Sequence, residues 1–180
     1  MLLYDREFDH FLSILQDELH HKKEELPHKQ TRTWDVRVRE LFFKTTIGIL
    51  KESYVMTVDI AKKHVFVEKH NPLPRDKGKK GGKIFGSNLY PDAIIVTDDG
   101  HKIAIELDHG NKGSQIKDTL AKKAMLKRVG GFDRVIVFFF WYAKMNVMDI
   151  VDKLERSNGI LRKESLHKYL LHLEFLRIQC

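Results

Sequence analysis

The sequence predicts an α/β fold, with a mixed central sheet flanked by helices. Three observations carry that expectation. Apolar residues recur at helical spacing twice within the first 51 positions. Residues 92–107 read as an apolar hairpin. A strand-length run at 134–142 is apolar on both of its faces.

Taken in order, residues 5–25 predict an amphipathic helix, in which Phe8, Phe11, Leu12, Leu15 and Leu19 form one stripe. Asp5 suits its N-cap, and Pro27 stops the run. A second helix is expected over 34–51, with Val38, Leu41, Phe42, Thr45 and Ile49 on one face. Residues 54–60 and 64–68 are rich in β-branched and aromatic side chains and read as one or two strands, broken at Ala61-Lys62-Lys63. Residues 70–89 hold two prolines, four glycines and a Lys/Arg excess, and so predict a basic loop. The glycines there match neither a dinucleotide fingerprint nor a Walker A loop.

Residues 92–97 are apolar, Asp98-Asp99-Gly100 is a strong turn signal, and 102–107 are apolar again, so a β-hairpin is expected. A helix follows over 114–128, stopped by Gly130-Gly131, and then the strand at 134–142. Residues 146–156 and a stretch reaching to 172 read as helical, and 173–178 as an edge strand. The expected order is α-β-β-β-α-β with additions at both ends, in one domain: an N-terminal helical extension over 1–30, a core over 34–142 and a C-terminal addition over 143–180. No internal repeat is visible.

Composition narrows the function classes. The 180-residue chain is 42% hydrophobic and 32% charged, an ordinary globular balance. Its one cysteine, Cys180, excludes an intrachain disulfide or a cysteine zinc site, so a cytoplasmic setting is expected. No apolar run approaches the roughly 20 residues that span a bilayer, and no membrane partner is expected. The formal charge of +7 favours a polyanionic partner, DNA or RNA. The histidines lack partners at zinc spacing, and no nucleophile-elbow pattern occurs. Trp34, Trp141 and Phe138-Phe139-Phe140 read as core rather than base-stacking platforms. Lys22-Lys23 faces Glu24-Glu25, which predicts a solvated helix end.

The chemistry concentrates on the hairpin. Alternation sends Ile103, Ile105 and Leu107 to one side of the strand and Ala104, Glu106 and Asp108 to the other. Asp92 opens the antiparallel partner, and the turn brings it opposite the same end. Three carboxylates so placed repel one another, and a hard divalent cation, Mg²⁺ or Mn²⁺, relieves that repulsion. Solvated strand termini are the plainer reading of such an acidic hairpin.

Pro91-Asp92 followed by Ile105-Glu106-Leu107-Asp108 resembles the PD-(D/E)XK, or restriction-endonuclease-like, nuclease superfamily. More narrowly, YPDAIIV, AIELDHG and LAKKA are similar to the replication-relaxation proteins of plasmids and other mobile elements. The likeness covers residues 90–142. It implies a metal-dependent DNA nuclease in plasmid, phage or mobile-element DNA processing. Asp92 and Glu106 would then hold the metal, with the Leu107 carbonyl joining them and Asp108 as a further ligand or base. The superfamily's usual strand lysine is here Asp108, and the resemblance implies a substitute among Lys117, Lys122 and Lys123. Gln115 shares a helix face with Lys122, whereas Lys123 lies nearer the apolar stripe of Ile116, Leu120 and Ala124, and the choice stays open. Glu40 is the candidate for the assisting glutamate of the first core helix, and His109 is a further candidate for a phosphate or a water. Lys77, Lys79, Lys80 and Lys83 in the basic loop would contact DNA phosphates. A homodimer is attractive because one metal site makes one cut. The alternative is a non-catalytic DNA-binding accessory protein that keeps the fold, and a third is a protein-interaction domain with an incidental acidic hairpin.

Overall fold

The structure is a computed structural model that describes residues 1–4, 6–26, 33–67, 91–109, 131–141 and 174–179; for Asp108, His109, Phe139, Trp141 and 174–179 it describes the backbone. The chain is a mixed α/β protein built on a five-stranded sheet flanked by helices. Helices α1 (Arg6–His21), α2 (Trp34–Glu52) and α3 (Val58–His64) precede or flank β1 (Val65–Val67), β2 (Ala93–Val96), β3 (Lys102–His109), β4 (Arg134–Trp141) and β5 (Glu174–Gln179). The strands lie in chain order across the sheet. Strands β1, β2 and β3 pair antiparallel, whereas β3–β4 and β4–β5 pair parallel. A parallel pair cannot close through a tight turn, so the chain crosses over between β3 and β4 and again between β4 and β5.

Register divides the sheet into two faces. Val65, Val67, Ala93, Ile95, Ile103, Ile105, Leu107, Ile136, Phe138 and Phe140 alternate onto the face that shares one core with α1 and α2. Phe8, Phe11, Leu15 and Leu19 of α1 and Trp34, Val38, Phe42 and Leu50 of α2 are fully or almost fully buried there. Each such side chain contributes about 1.5–3 kcal/mol by leaving water. The first helix is therefore no appendage: its apolar stripe is part of the central core. Edge-on ring contacts lock α2 to β4, Trp34 against Phe140 and Phe42 against Phe138, both at 5.7 Å between centroids. Ile94, Ala104, Val135 and Val137 lie buried on the opposite face, so β3 and β4 are covered on both sides as expected of central strands.

One expectation fails. Residues 54–60 do not form a strand; Val58–His64 is α3. Thr57 caps it, its Oγ1 accepting the Ile60 N–H at 3.3 Å, with Asp59 in the first turn and Lys62, Lys63 and His64 in the last. Cap and dipole terms outweigh the β-branched composition. Lys22 pairs with Glu18 at 2.9 Å, one helical turn back, rather than with the glutamates that follow it. The expected helices over 114–128, 146–156 and up to 172, and the basic loop over 70–89, lie outside the described residues.

Candidate functional site

The hairpin sets the site. Thr97 accepts the Gly100 N–H and donates its own N–H to the His101 carbonyl, each at 3.0 Å. Gly100 takes φ +88°, the left-handed conformation that a bulged three-residue hairpin loop requires. This turn fixes Ile95 opposite Ile103 and Ala93 opposite Ile105. One step further along the same register, Asp92 stands opposite Glu106. Alternation along β3 puts Glu106 on the side away from the α1–α2 core, whereas Asp92, just before β2, turns its carboxylate to the Leu107 N–H and to Arg39 of α2.

Asp92 sits just before β2, half-buried after the buried Pro91. Its Oδ2 accepts the Leu107 N–H at 3.0 Å, which locks the carboxylate across the end of the hairpin. Glu106 is only 5% exposed, and its parallel-strand neighbour in register is Val137. A carboxylate so buried is held by charge or hydrogen bonds from its surroundings. Among the described residues, a cation that the sequence reading did not pick out comes to the site: Arg39 of α2 places Nε 4.0 Å from Asp92 Oδ1, an ion-pair separation too long for a hydrogen bond. The same Nε donates to the Asp35 carbonyl one turn back at 2.9 Å. Arg39 is one residue from Glu40, which is half-buried on the same helix.

Of the expected site residues, the structure brings Asp92 and Glu106 together and places Leu107 beside them, its side chain buried and its N–H bonded to Asp92. Asp108 and His109 continue β3 in register with Phe139 and Phe140, but their side chains are outside the described set. Gln115, Lys117, Lys122, Lys123, Lys77, Lys79, Lys80 and Lys83 are outside it altogether. Among the described residues, no three His, Cys, Asp or Glu side chains come together in a metal-holding group. What the described residues offer a cation is a pair of oxygen ligands, one buried and one half-buried, a donor set that suits Mg²⁺ or Mn²⁺.

The other end of the hairpin carries a second polar cluster that sequence reasoning missed. Asp98 and the backbone of Leu2 bond reciprocally: the Asp98 N–H donates to the Leu2 carbonyl at 2.8 Å, and the Leu2 N–H donates to Asp98 Oδ2. The Tyr4 N–H donates to both oxygens of Asp99, at 3.2 and 3.3 Å. The Tyr4 ring stacks on His101 with centroids 4.0 Å apart. His64, almost fully buried, sets Nδ1 2.6 Å from the Val96 carbonyl and Nε2 3.7 Å from Asp98. Asp133 accepts the Lys102 N–H at 2.8 Å and lies 3.3 Å from His101 Nδ1. Arg134 reaches back to Asp9 at 2.7 Å over the Phe8 ring. The longest of these contacts span 95 to 125 positions of sequence, and no local pattern announces them.

No protein-family model matches the chain, and no curated protein matches it. Among solved structures it is similar to SfsA of Pyrococcus furiosus in complex with Ca²⁺, at 13% identity and a TM-score of 0.40. The match covers 81% of this chain and 58% of that one, so the chain spans little more than half the length of that protein. So distant a likeness carries no functional inference. Among the described residues, no helix is long and apolar enough to cross a membrane.

Proposed function

We propose that the open end of the β2–β3 hairpin holds a divalent cation and that the chain is a metal-dependent DNA nuclease of the PD-(D/E)XK kind. One observation carries this reading: buried Glu106 stands directly across the strand pair from Asp92, whose carboxylate is fixed by the Leu107 N–H. Two carboxylates in register at one end of a sheet offer a hard divalent cation a pair of oxygen ligands.

In this reading Asp92 and Glu106 hold Mg²⁺ or Mn²⁺, with the Leu107 carbonyl and Asp108 completing the oxygen set. Such a cation supplies Lewis-acid polarisation of a phosphate oxygen and a more acidic water for in-line attack. Glu106, held by β3, contributes a ligand that does not need to reorganise. A lysine from the 114–128 segment, Lys122 or Lys123, balances charge on the phosphate, in place of the strand lysine that Asp108 replaces. Lys77, Lys79, Lys80 and Lys83, with the chain's +7 charge, draw the DNA backbone to this end.

Supercoiled DNA incubated with the purified chain and Mn²⁺ tests the reading. Nicking that disappears in Asp92→Ala and Glu106→Ala, while DNA affinity persists, supports it. Salt-sensitive DNA binding with no cleavage under Mg²⁺ or Mn²⁺ assigns the chain instead to a non-catalytic DNA-binding role, which the Asp108 replacement favours. Absence of both metal-dependent binding and cleavage ends the proposal.

A further inference from the structure

Resting on the metal reading of this site, the geometry points to Arg39 as a built-in stand-in cation, which holds Asp92 when no metal is bound and turns to a DNA phosphate when one is. Among the described residues, Arg39 sets its Nε 4.0 Å from Asp92 Oδ1. Its guanidinium is anchored on its own helix by the Asp35 carbonyl, so it swings from a fixed pivot rather than from a free chain. The side chain is 20% exposed and that of Asp92 29% exposed, so the pair is reachable from solvent without unfolding the sheet.

The physical logic is competition between cations. Asp92 has two oxygens; Oδ2 is occupied by the Leu107 N–H, and Oδ1 is the one that faces Arg39. A divalent ion entering at Oδ1 meets a positive charge a few ångströms away and is repelled by it. Arg39 must then withdraw from Asp92. A guanidinium released beside a bound cation has a natural new partner in a phosphate oxygen, which it binds in bidentate fashion. The exchange couples metal and substrate: the metal frees the phosphate-binding group, and the phosphate keeps that group off the metal's ligand. Arg39 is a positioning residue by this account, since it touches substrate only after the exchange.

The test compares wild type, Arg39→Gln and Arg39→Lys as full-length chains. Mn²⁺ affinity is read by calorimetry, and DNA affinity is read against salt in Ca²⁺. Arg39→Gln removes the competing charge and is expected to bind Mn²⁺ about tenfold more tightly. Its DNA affinity falls, and the slope of log affinity on log salt drops by about 0.9, the loss of one phosphate contact. Arg39→Lys keeps the charge and is expected to stay near wild type in Mn²⁺ affinity, which also guards against misreading a folding defect. Asp92-dependent Mn²⁺ binding that is equally tight in wild type and Arg39→Gln overturns this inference alone. No Mn²⁺ binding by wild type overturns the metal reading and this inference with it.

Discussion

The two ends of the β2–β3 hairpin are both acidic, and they use their carboxylates in opposite ways. At the turn, Asp98 and Asp99 accept backbone N–H groups from Leu2 and Tyr4, neutral donors that the fold itself supplies. These acids tie the N-terminal segment to the sheet. At the open end, Glu106 is buried in register with Asp92, and Arg39, a charged side chain of α2, stands at ion-pair distance from Asp92. The turn is met by backbone donors; the open end is met by a side-chain cation as well. Whether an acid is structural or functional is decided by what kind of donor meets it, not by its residue type or its place on a hairpin.

The largest break in that comparison should come at the open end. Asp92→Ala or Glu106→Ala is expected to lower Mn²⁺-dependent nicking at least about 100-fold, the scale of losing a metal ligand. At the turn the pattern should reverse. Asp98→Ala strips the partner from the Leu2 N–H of a fully buried residue and from His64, and should cost about 1–3 kcal/mol. Calorimetric Mn²⁺ affinity of this variant should match wild type; a tenfold loss would show the two ends to be coupled.

A subtler contrast is the sign of neutralisation. Glu106→Gln keeps the shape and removes a buried charge, and in chelator it should move stability by about 1 kcal/mol, roughly 2–4 °C in Tm, upward if the charge is a net cost to the fold. A fall in Tm would mean that Glu106 is held by partners the amide cannot satisfy. The smallest effect is expected at Asp99. Hydrogen bonding from Thr97, chiefly, and from the Tyr4 N–H holds its carboxyl below the usual carboxylate range, against some desolvation. A depressed carboxyl contributes stability that is fully present above its ordinary value of about 3.9 and is lost as pH falls through its folded value. The Tm difference between wild type and Asp99→Asn should therefore be small and constant near neutrality and vanish in strong acid.

Much of this architecture was legible because its signals are local. The Asp98-Asp99-Gly100 turn and the flanking alternation placed Glu106 opposite Asp92, and helical spacing found α1 and α2 to within a few residues. Residues 54–60 misled because β-branched composition describes side chains, whereas the Thr57 cap and the charge gradient of α3 act on the backbone. Arg39 escaped for a different reason. Nothing within its helix distinguishes it from Arg37, and its meeting with Asp92 spans 53 positions, from 39 to 92. The ties of Leu2 and Tyr4 to the turn are longer still. Local chemistry names the carboxylates; only tertiary packing names the arginine beside them.

The sheet's connectivity also bears on the order in which the chain assembles. Asp92 and Glu106 are fourteen positions apart, joined by a tight turn, whereas β3 meets β4 only after a crossover. Closing a hairpin of that size takes microseconds, and non-local parallel pairing is far slower. The hairpin that carries the acidic pair can therefore close before the parallel pairing is complete, and α2, which precedes it in the chain, is already made when the hairpin emerges.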